Sequence, residues 1–160
     1  MKKSAKSVAY DTRKQLVDAL NEDLGREYQA IIAYVVYSQV IKGAENMNIA
    51  AELEKHAGEE LQHAILIARQ IDYLGGKPTV KAKEVRTSNT AVDMLRFDLE
   101  NETETIRNYQ QRVRQCEALD EYAMAEQICT ILVQEQEHQI DLATALGIEV
   151  PVMSRNVPGE

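Results

Sequence analysis

Two Glu-x-x-His quartets constrain this chain more than any other feature: Glu60-Leu61-Gln62-His63 and Glu135-Gln136-Glu137-His138. Residues three apart on an α-helix share a face, about one turn from each other. Each Glu and its His can therefore reach one metal ion. A lone Glu stands 33 residues before each quartet, Glu27 before Glu60 and Glu102 before Glu135. One offset of 75 residues carries Glu27 to Glu102, Glu60 to Glu135 and His63 to His138. Two of the three histidines in the chain fall in this register. One such quartet in a Glu-rich chain is a common surface pair, but two with matched upstream carboxylates form a ligand set.

The helical pattern around these residues predicts their setting. Residues 1–11 read as an N-terminal tail with Lys2, Lys3 and Lys6. Asp11-Thr12 offers an N-cap, and a helix follows to near Gly43. Its apolar stripe is Leu16, Leu20, Leu24, Ile31, Val35 and Val36. Glu27 falls inside it, where an isolated carboxylate is costly unless paired or metal-bound. Asn46 to Leu74 read as a second helix, with Ile49, Leu53, Ala57, Leu61, Ala64 and Ile67 inward and Gly75-Gly76 as its end. Residues 75–90 lack a period and hold Pro78, so they read as a crossover joining two parallel neighbours. Ala91 to Ala118 form a third helix through Met94, Leu95, Leu99, Ile106, Tyr109 and Val113. Of its central acids, the register selects Glu102 and leaves Glu100 and Glu104 to solvent or to bonds with neighbours. Asp120, after Leu119, is expected to cap a fourth helix that ends at Leu146-Gly147. Residues 148–160, with Pro151 and Pro158, read as a C-terminal tail. Four long helices, two short turns and one crossover predict an all-α four-helix bundle in one domain, residues 1–160.

Composition narrows the function. The formal net charge of −8 argues against nucleic acid and suits a protein that gathers cations. Nothing has the apolar length of a membrane span or a signal peptide, so a cytoplasmic protein with no membrane partner is expected. Cys116 and Cys129 form neither a disulfide framework nor a Cys-x-x-Cys pair and read as reduced, partly buried core thiols, with a functional role near a site as the alternative. His56 lies one turn before Glu60 with no partner Glu ahead of it. It is expected at the surface; the alternative, that with Glu59 it helps pass iron towards an interior cavity, follows only from a family resemblance. Four carboxylates and two imidazoles suit iron(II) or manganese(II), and zinc could occupy the site without redox chemistry.

Over residues 12–147 the sequence resembles the bacterioferritins of the ferritin-like superfamily, and also Dps-like mini-ferritins with a bacterioferritin-type di-iron centre. The ligand pattern is that of the ferritin-like carboxylate proteins, and Met94 to Glu102 is similar to the family's third-helix segment. The resemblance implies an up-down-down-up bundle. Glu60 and Glu135 would bridge two iron ions, Glu27 and Glu102 would be terminal, and His63 and His138 would each bind one. Tyr34, seven residues after Glu27, matches a family tyrosine that would hydrogen-bond a ligand carboxylate. The implied function is a ferroxidase that takes one electron from each of two Fe(II), delivers them to O2 or H2O2, and stores Fe(III) in a hollow homo-oligomer. A di-iron peroxidase of the rubrerythrin kind, or another di-iron oxidase without storage, is the alternative. Leu61 replaces the methionine that binds haem in bacterioferritins, so no haem is expected. The Pro-containing tail replaces a fifth helix, which favours twelve subunits over twenty-four. Mini-ferritin tails can touch DNA, but three lysines against the net charge argue against DNA here.

Overall fold

The computed structural model describes residues 12–152. The N-terminal tail over residues 1–11, with Asp11, and the tail beyond residue 152 lie outside the described residues. Four α-helices carry the fold: α1 (Arg13–Val40), α2 (Met47–Tyr73), α3 (Ala91–Ala118) and α4 (Tyr122–Leu146). A 3-10 turn at Ala44–Asn46 leads into α2. No strand is present among the described residues, and no described helix is long and apolar enough to cross a membrane.

Local chemistry sets the helix ends. At the start of α1 the Thr12 hydroxyl accepts from the Gln15 backbone N–H at 3.2 Å, and Gln15 Oε1 accepts from the Thr12 N–H at 2.7 Å. This reciprocal pair satisfies two donors that the helix start leaves free. Helix α1 stops at Val40, earlier than the expected Gly43, because Ile41 turns extended. Asp120 was expected to cap α4, but it closes α3 instead. Its φ of 61° is left-handed. The Asp120 N–H donates to Glu117 O at 3.1 Å, and the Glu121 N–H donates to Cys116 O at 2.8 Å. These two bonds are a Schellman ending, and Glu121 stands at the N-cap of α4. Asp can occupy the left-handed region, and from sequence its N-cap preference looked the same.

Helix α1 packs on α2 and α3, and α4 packs on the same two helices. Leu16, Leu20 and Leu24 of α1 share one buried cluster with Ile67 and Ile71 of α2, Cys116 of α3, and Met124 and Ile128 of α4. Tyr34 and Tyr37 share the other with Leu53, Met94, Leu95 and Leu142. The starts of α1 and α4 thus meet the ends of α2 and α3, which gives the up-down-down-up order. The crossover therefore joins helices on a diagonal, not the packed neighbours the sequence suggested. Each fully buried Leu or Ile contributes ~1.5–3 kcal/mol, so the two apolar layers offset the cost of the polar band between them.

The crossover, residues 74–90, lies along α1. Asn21 is its anchor: Nδ2 donates to Lys77 O at 3.1 Å, and Oδ1 accepts from the Thr79 N–H at 2.7 Å. The Lys83 N–H donates to Gly25 O at 2.9 Å. A Cβ at Gly25 would meet the Lys81 carbonyl at 3.2 Å, so glycine permits this approach. Farther on, Tyr37 donates to Arg86 O, and Arg86 lies 4.3 Å over the Phe97 ring while pairing with Glu100 at 2.7 Å.

The apolar stripe of α1 turns where the sequence kept it straight. Past Glu27 the buried positions are Ala33, Tyr34, Tyr37 and Ser38, while Val35 and Val36 face out. Leu61, expected inward, is 49% exposed. Steps of three and four from Leu24 through Glu27 lead to Tyr34 and Tyr37. The valines belong to another face that happens to be apolar.

Below the polar band, Arg112 Nε donates to Asp23 Oδ2 at 2.6 Å, and Arg112 also donates to Gln115. Both members of the Arg112–Asp23 pair are buried. Burial raises the Asp23 carboxyl, and Arg112 partly opposes it. Arg112→Ala strands this acid and is expected to cost ~3–5 kcal/mol near neutral pH. The loss shrinks in acid as Asp23 takes up a proton. Urea unfolding at two pH values checks both the size and the trend.

Candidate metal centre

All six register residues converge in the polar band, and all six are buried. Two groups form. Glu27, Glu60, His63 and Glu135 offer ligand atoms all within 4.8 Å of one another, and so do Glu60, Glu102, Glu135 and His138. Glu60 and Glu135 belong to both groups. His63 Nδ1 lies 3.1 Å from Glu60 Oε2, 3.0 Å from Glu135 Oε1 and 3.5 Å from Glu27 Oε2. His138 Nδ1 lies 3.0 Å from Glu60 Oε1 and 3.7 Å from Glu135 Oε2.

The donor set fits divalent cations. Glu27 Oε2, Glu60 Oε1, Glu102 Oε2, both Glu135 oxygens and His138 Nδ1 are buried without a hydrogen-bond partner. Stranding six such atoms is costly in a protein interior, and here they converge on shared points. Hard carboxylate oxygens with imidazole nitrogens suit iron(II), manganese(II) or zinc.

The buried groups of the centre push one another's titration in opposite directions. Burial, with the neighbouring Glu60 and Glu135 carboxylates, pushes Glu27 well up, and burial with Glu135 does the same to Glu102. Burial also works to raise Glu60 and Glu135, but the close approach of Glu27 to Glu60, of Glu102 to Glu135, and of the His63 and His138 rings to both outweighs it and holds both low. Burial would lower the two histidines, and the surrounding carboxylates overcome it. His138 is pushed up to about 10, and His63 rises further.

Pairs of residues 75 apart also hold four of these six residues. Tyr34 of α1 donates to Glu102 of α3, and Tyr109 of α3 donates to Glu27 of α1. Tyr109 was expected only among the apolar positions, although 34 and 109 obey the same offset as the six register residues. The outer ring nitrogens follow suit. His63 Nε2 pairs with Gln134 Oε1 at 2.7 Å, and His138 Nε2 pairs with Glu59 Oε2 at 2.8 Å. Asp23 and Asp98 are also 75 apart and both buried, but Asp23 pairs with Arg112 and Asp98 Oδ2 has no partner. A hydrogen-bonded outer nitrogen fixes which nitrogen faces the metal. Tyr34→Phe and Tyr109→Phe are each expected to weaken metal binding about 10-fold, each at one group. Calorimetric titration with Co(II) reads this directly.

His56 is not at the surface. It is 1% exposed, its Nε2 lies 3.2 Å from Asp141 Oδ2, and its ring stacks on His138 at 4.0 Å between centroids. Helix α4 covers it, which its position on α2 alone could not reveal. Cys116 is buried among apolar side chains, and burial pushes its thiol up to about 11. It is a core thiol. Between α1 and α3 a narrow cleft lined by Arg26, Gln29, Asn101 and Thr105 reaches Glu27, Glu60, Glu102 and Glu135.

The ferritin-like domain family model matches residues 17–148. The chain belongs to the ferritin-like domain family. Among curated relatives of this ferritin-like chain, a bacterioferritin of Desulfovibrio desulfuricans is 26% identical over 129 residues, covering 80% of this chain and 72% of the relative. A bacterial ferritin of Paramagnetospirillum magnetotacticum is 26% identical over 139 residues, covering 85% of each. The fold matches a ferritin-like, diiron-carboxylate protein of Bacillus anthracis, with TM-score 0.81, 30% identity, and coverage of 84% of this chain and 96% of that one. It also matches a dodecameric thioferritin, the bacterioferritin-related protein of Bacteroides fragilis, with TM-score 0.76, 30% identity, and coverage of 86% and 88%.

Proposed function

We propose that this ferritin-like chain is a di-iron ferroxidase that stores iron as Fe(III) within a homo-oligomeric shell. The observation that carries the reading is the pair of four-residue groups sharing Glu60 and Glu135. One Fe(II) is held by Glu27, Glu60, His63 and Glu135, the other by Glu60, Glu102, Glu135 and His138. The shared carboxylates hold the two ions close enough to deliver two electrons to one oxidant, O2 or H2O2. Iron is both substrate and cargo, and the chain's own part is to bind, orient and exclude. Tyr34 and Tyr109 hold Glu102 and Glu27 in place, Gln134 and Glu59 fix the histidine rings, and the apolar layers keep bulk water away. The α1/α3 cleft admits only small species.

Storage requires an enclosed volume, and one bundle has none. Exposed Ile32, Val35, Val36 and Val40 on α1 and Leu61 and Ile65 on α2 are apolar surface suited to contact with further copies. The dodecameric relative supports twelve subunits. Leu61 offers no thioether to a haem iron, so the purified protein is expected to show no Soret band. Fe(II) added without oxygen and then exposed to air should be oxidised in a fast phase of two ions per chain. Light scattering should find a shell that retains the product. A slow reaction without the two-ion phase would remove the ferroxidase reading. A monomer or dimer would remove storage alone.

A further inference from the structure

The lining of the α1/α3 cleft falls into pairs 75 residues apart: Arg26 with Asn101, Glu27 with Glu102, Ala30 with Thr105. The cleft therefore lies on the axis that relates the two halves of the bundle. A molecule held in it stands equally toward both four-residue groups, the place an oxidant must take to draw one electron from each ion. The free space is about 10 Å³ for the centre of a water-sized body. That is about the minimum for one water, so among oxidants only the smallest can enter. The pairing breaks at Arg26. Its Nη2 lies 2.7 Å from Glu104 Oε1, an ion pair that joins α1 to α3 beside the cleft. The residues 75 away are Asn101 and Gln29, two neutral amides that line the same cleft. Amides serve the packing on one side, so the fold does not require a charged pair on the other. Arg26 is the only cation among the described residues that line the cleft. Glu104 holds its guanidinium by the Nη2 end, while Nε–H is buried with no partner in the protein. A buried donor left unpaired is costly.

We propose that Arg26 selects hydrogen peroxide as the oxidant: its Nε–H donates to a peroxide oxygen in the cleft, and Glu104 positions the guanidinium to do so. The inference rests on the ferroxidase reading above and names the oxidant for that same site. Hydrogen peroxide both accepts and donates hydrogen bonds. O2 is apolar and a poor acceptor, so a buried N–H gains little from it. The Thr105 hydroxyl and the Asn101 amide offer the peroxide further partners in the same cleft. In the reaction the O–O bond breaks, each of two Fe(II) gives one electron, and two protons from solvent complete two molecules of water. Arginine keeps its proton throughout. Arg26 therefore orients the peroxide and is not the proton source.

Stopped-flow oxidation of Fe(II) by the intact protein, with H2O2 in the absence of air and with O2 in separate runs, tests the choice. Arg26→Gln should raise the KM for H2O2 about 10-fold, the effect of losing one bond from a charged donor, and leave kcat and the KM for O2 unchanged. Arg26→Lys keeps the charge but places no N–H at the Nε position, so it should raise the KM for H2O2 as much. Glu104→Gln, a change on a half-exposed side chain, should raise it less, because the guanidinium remains and only its anchor is gone. Crystals of the parent loaded with redox-inert Zn(II) and soaked in H2O2 should show two-atom density within hydrogen-bond reach of Arg26 Nε. An unchanged KM for H2O2 in Arg26→Gln overturns the proposal. So does an equal rise for both oxidants, which would make Arg26 part of the cleft wall and nothing more. Failure of the ferroxidase reading looks different: the parent itself would then show no fast two-ion phase with either oxidant, and the inference would fall with it.

Discussion

Glu60→Ala is expected to abolish the fast phase of iron(II) oxidation. Glu60 belongs to both four-residue groups, so its loss disturbs both ions. His138 belongs to one group of the centre, and His138→Ala should weaken chiefly one ion. Even outer-sphere partners of metal ligands change affinity or activity about 10–100-fold when removed, so loss of a shared ligand should slow oxidation by at least ~100-fold. Stopped-flow absorbance after mixing with aerated buffer reads the rate, and anaerobic Co(II) titration reads the stoichiometry. Far-ultraviolet circular dichroism should stay helical in both variants, because the apolar layers above and below are untouched. If both variants oxidise iron(II) at the parent's rate, the ligand assignment is wrong.

Metal uptake is expected to release at least two protons per chain, and up to four. A histidine must lose its proton before it can bind a metal. In the metal-free centre both histidines hold protons, with His138 pushed up to about 10 and His63 raised further. Glu27 and Glu102, raised by burial and by neighbouring carboxylates, supply two more wherever they are still protonated. With all four protons in place the centre is neutral: two carboxylates, two acids and two imidazolium ions. Two divalent cations in place of those four protons leave it neutral again, which is why a buried site can accept them. Apparent affinity should therefore rise with pH. Stability of the metal-free protein should move the other way. His138 has a folded-state pKa above its unfolded value of 6.5, so its contribution is complete below 6.5 and is lost as pH climbs through about 10. The loaded protein has no such proton to lose. Thermal unfolding at pH 6.5 and pH 10, with and without Mn(II), separates the two. Titration in buffers of different ionisation heat counts the protons, and an enthalpy independent of buffer would sink the exchange.

The convergence of the six residues was legible because it is written in helical spacing. Glu-x-x-His fixes two side chains on one face wherever the helix lies, and the offsets of 33 and 75 bring the copies level. The same arithmetic held more than was read from it. Tyr109 is Tyr34 shifted by 75, and it donates to the opposite upstream glutamate. Asp98 is Asp23 shifted likewise, and both are buried. The turn at Asp120 was misread because one residue type serves two neighbouring helix ends, and only the backbone dihedral separates them.

The sequence by itself determined the four helices, the long crossover and the six residues that converge, since each rests on periodicity local to a helix. Tertiary structure decided which face of each helix is covered. Val35 and Val36 lost their expected places to Tyr34 and Tyr37, because the burial angle of α1 is set by where α2 and α3 stand. It also decided His56, which α2 alone leaves at the surface and α4 closes over, stacking it on His138. A helix fixes angles about its own axis. Only its neighbours fix which of those angles meets water.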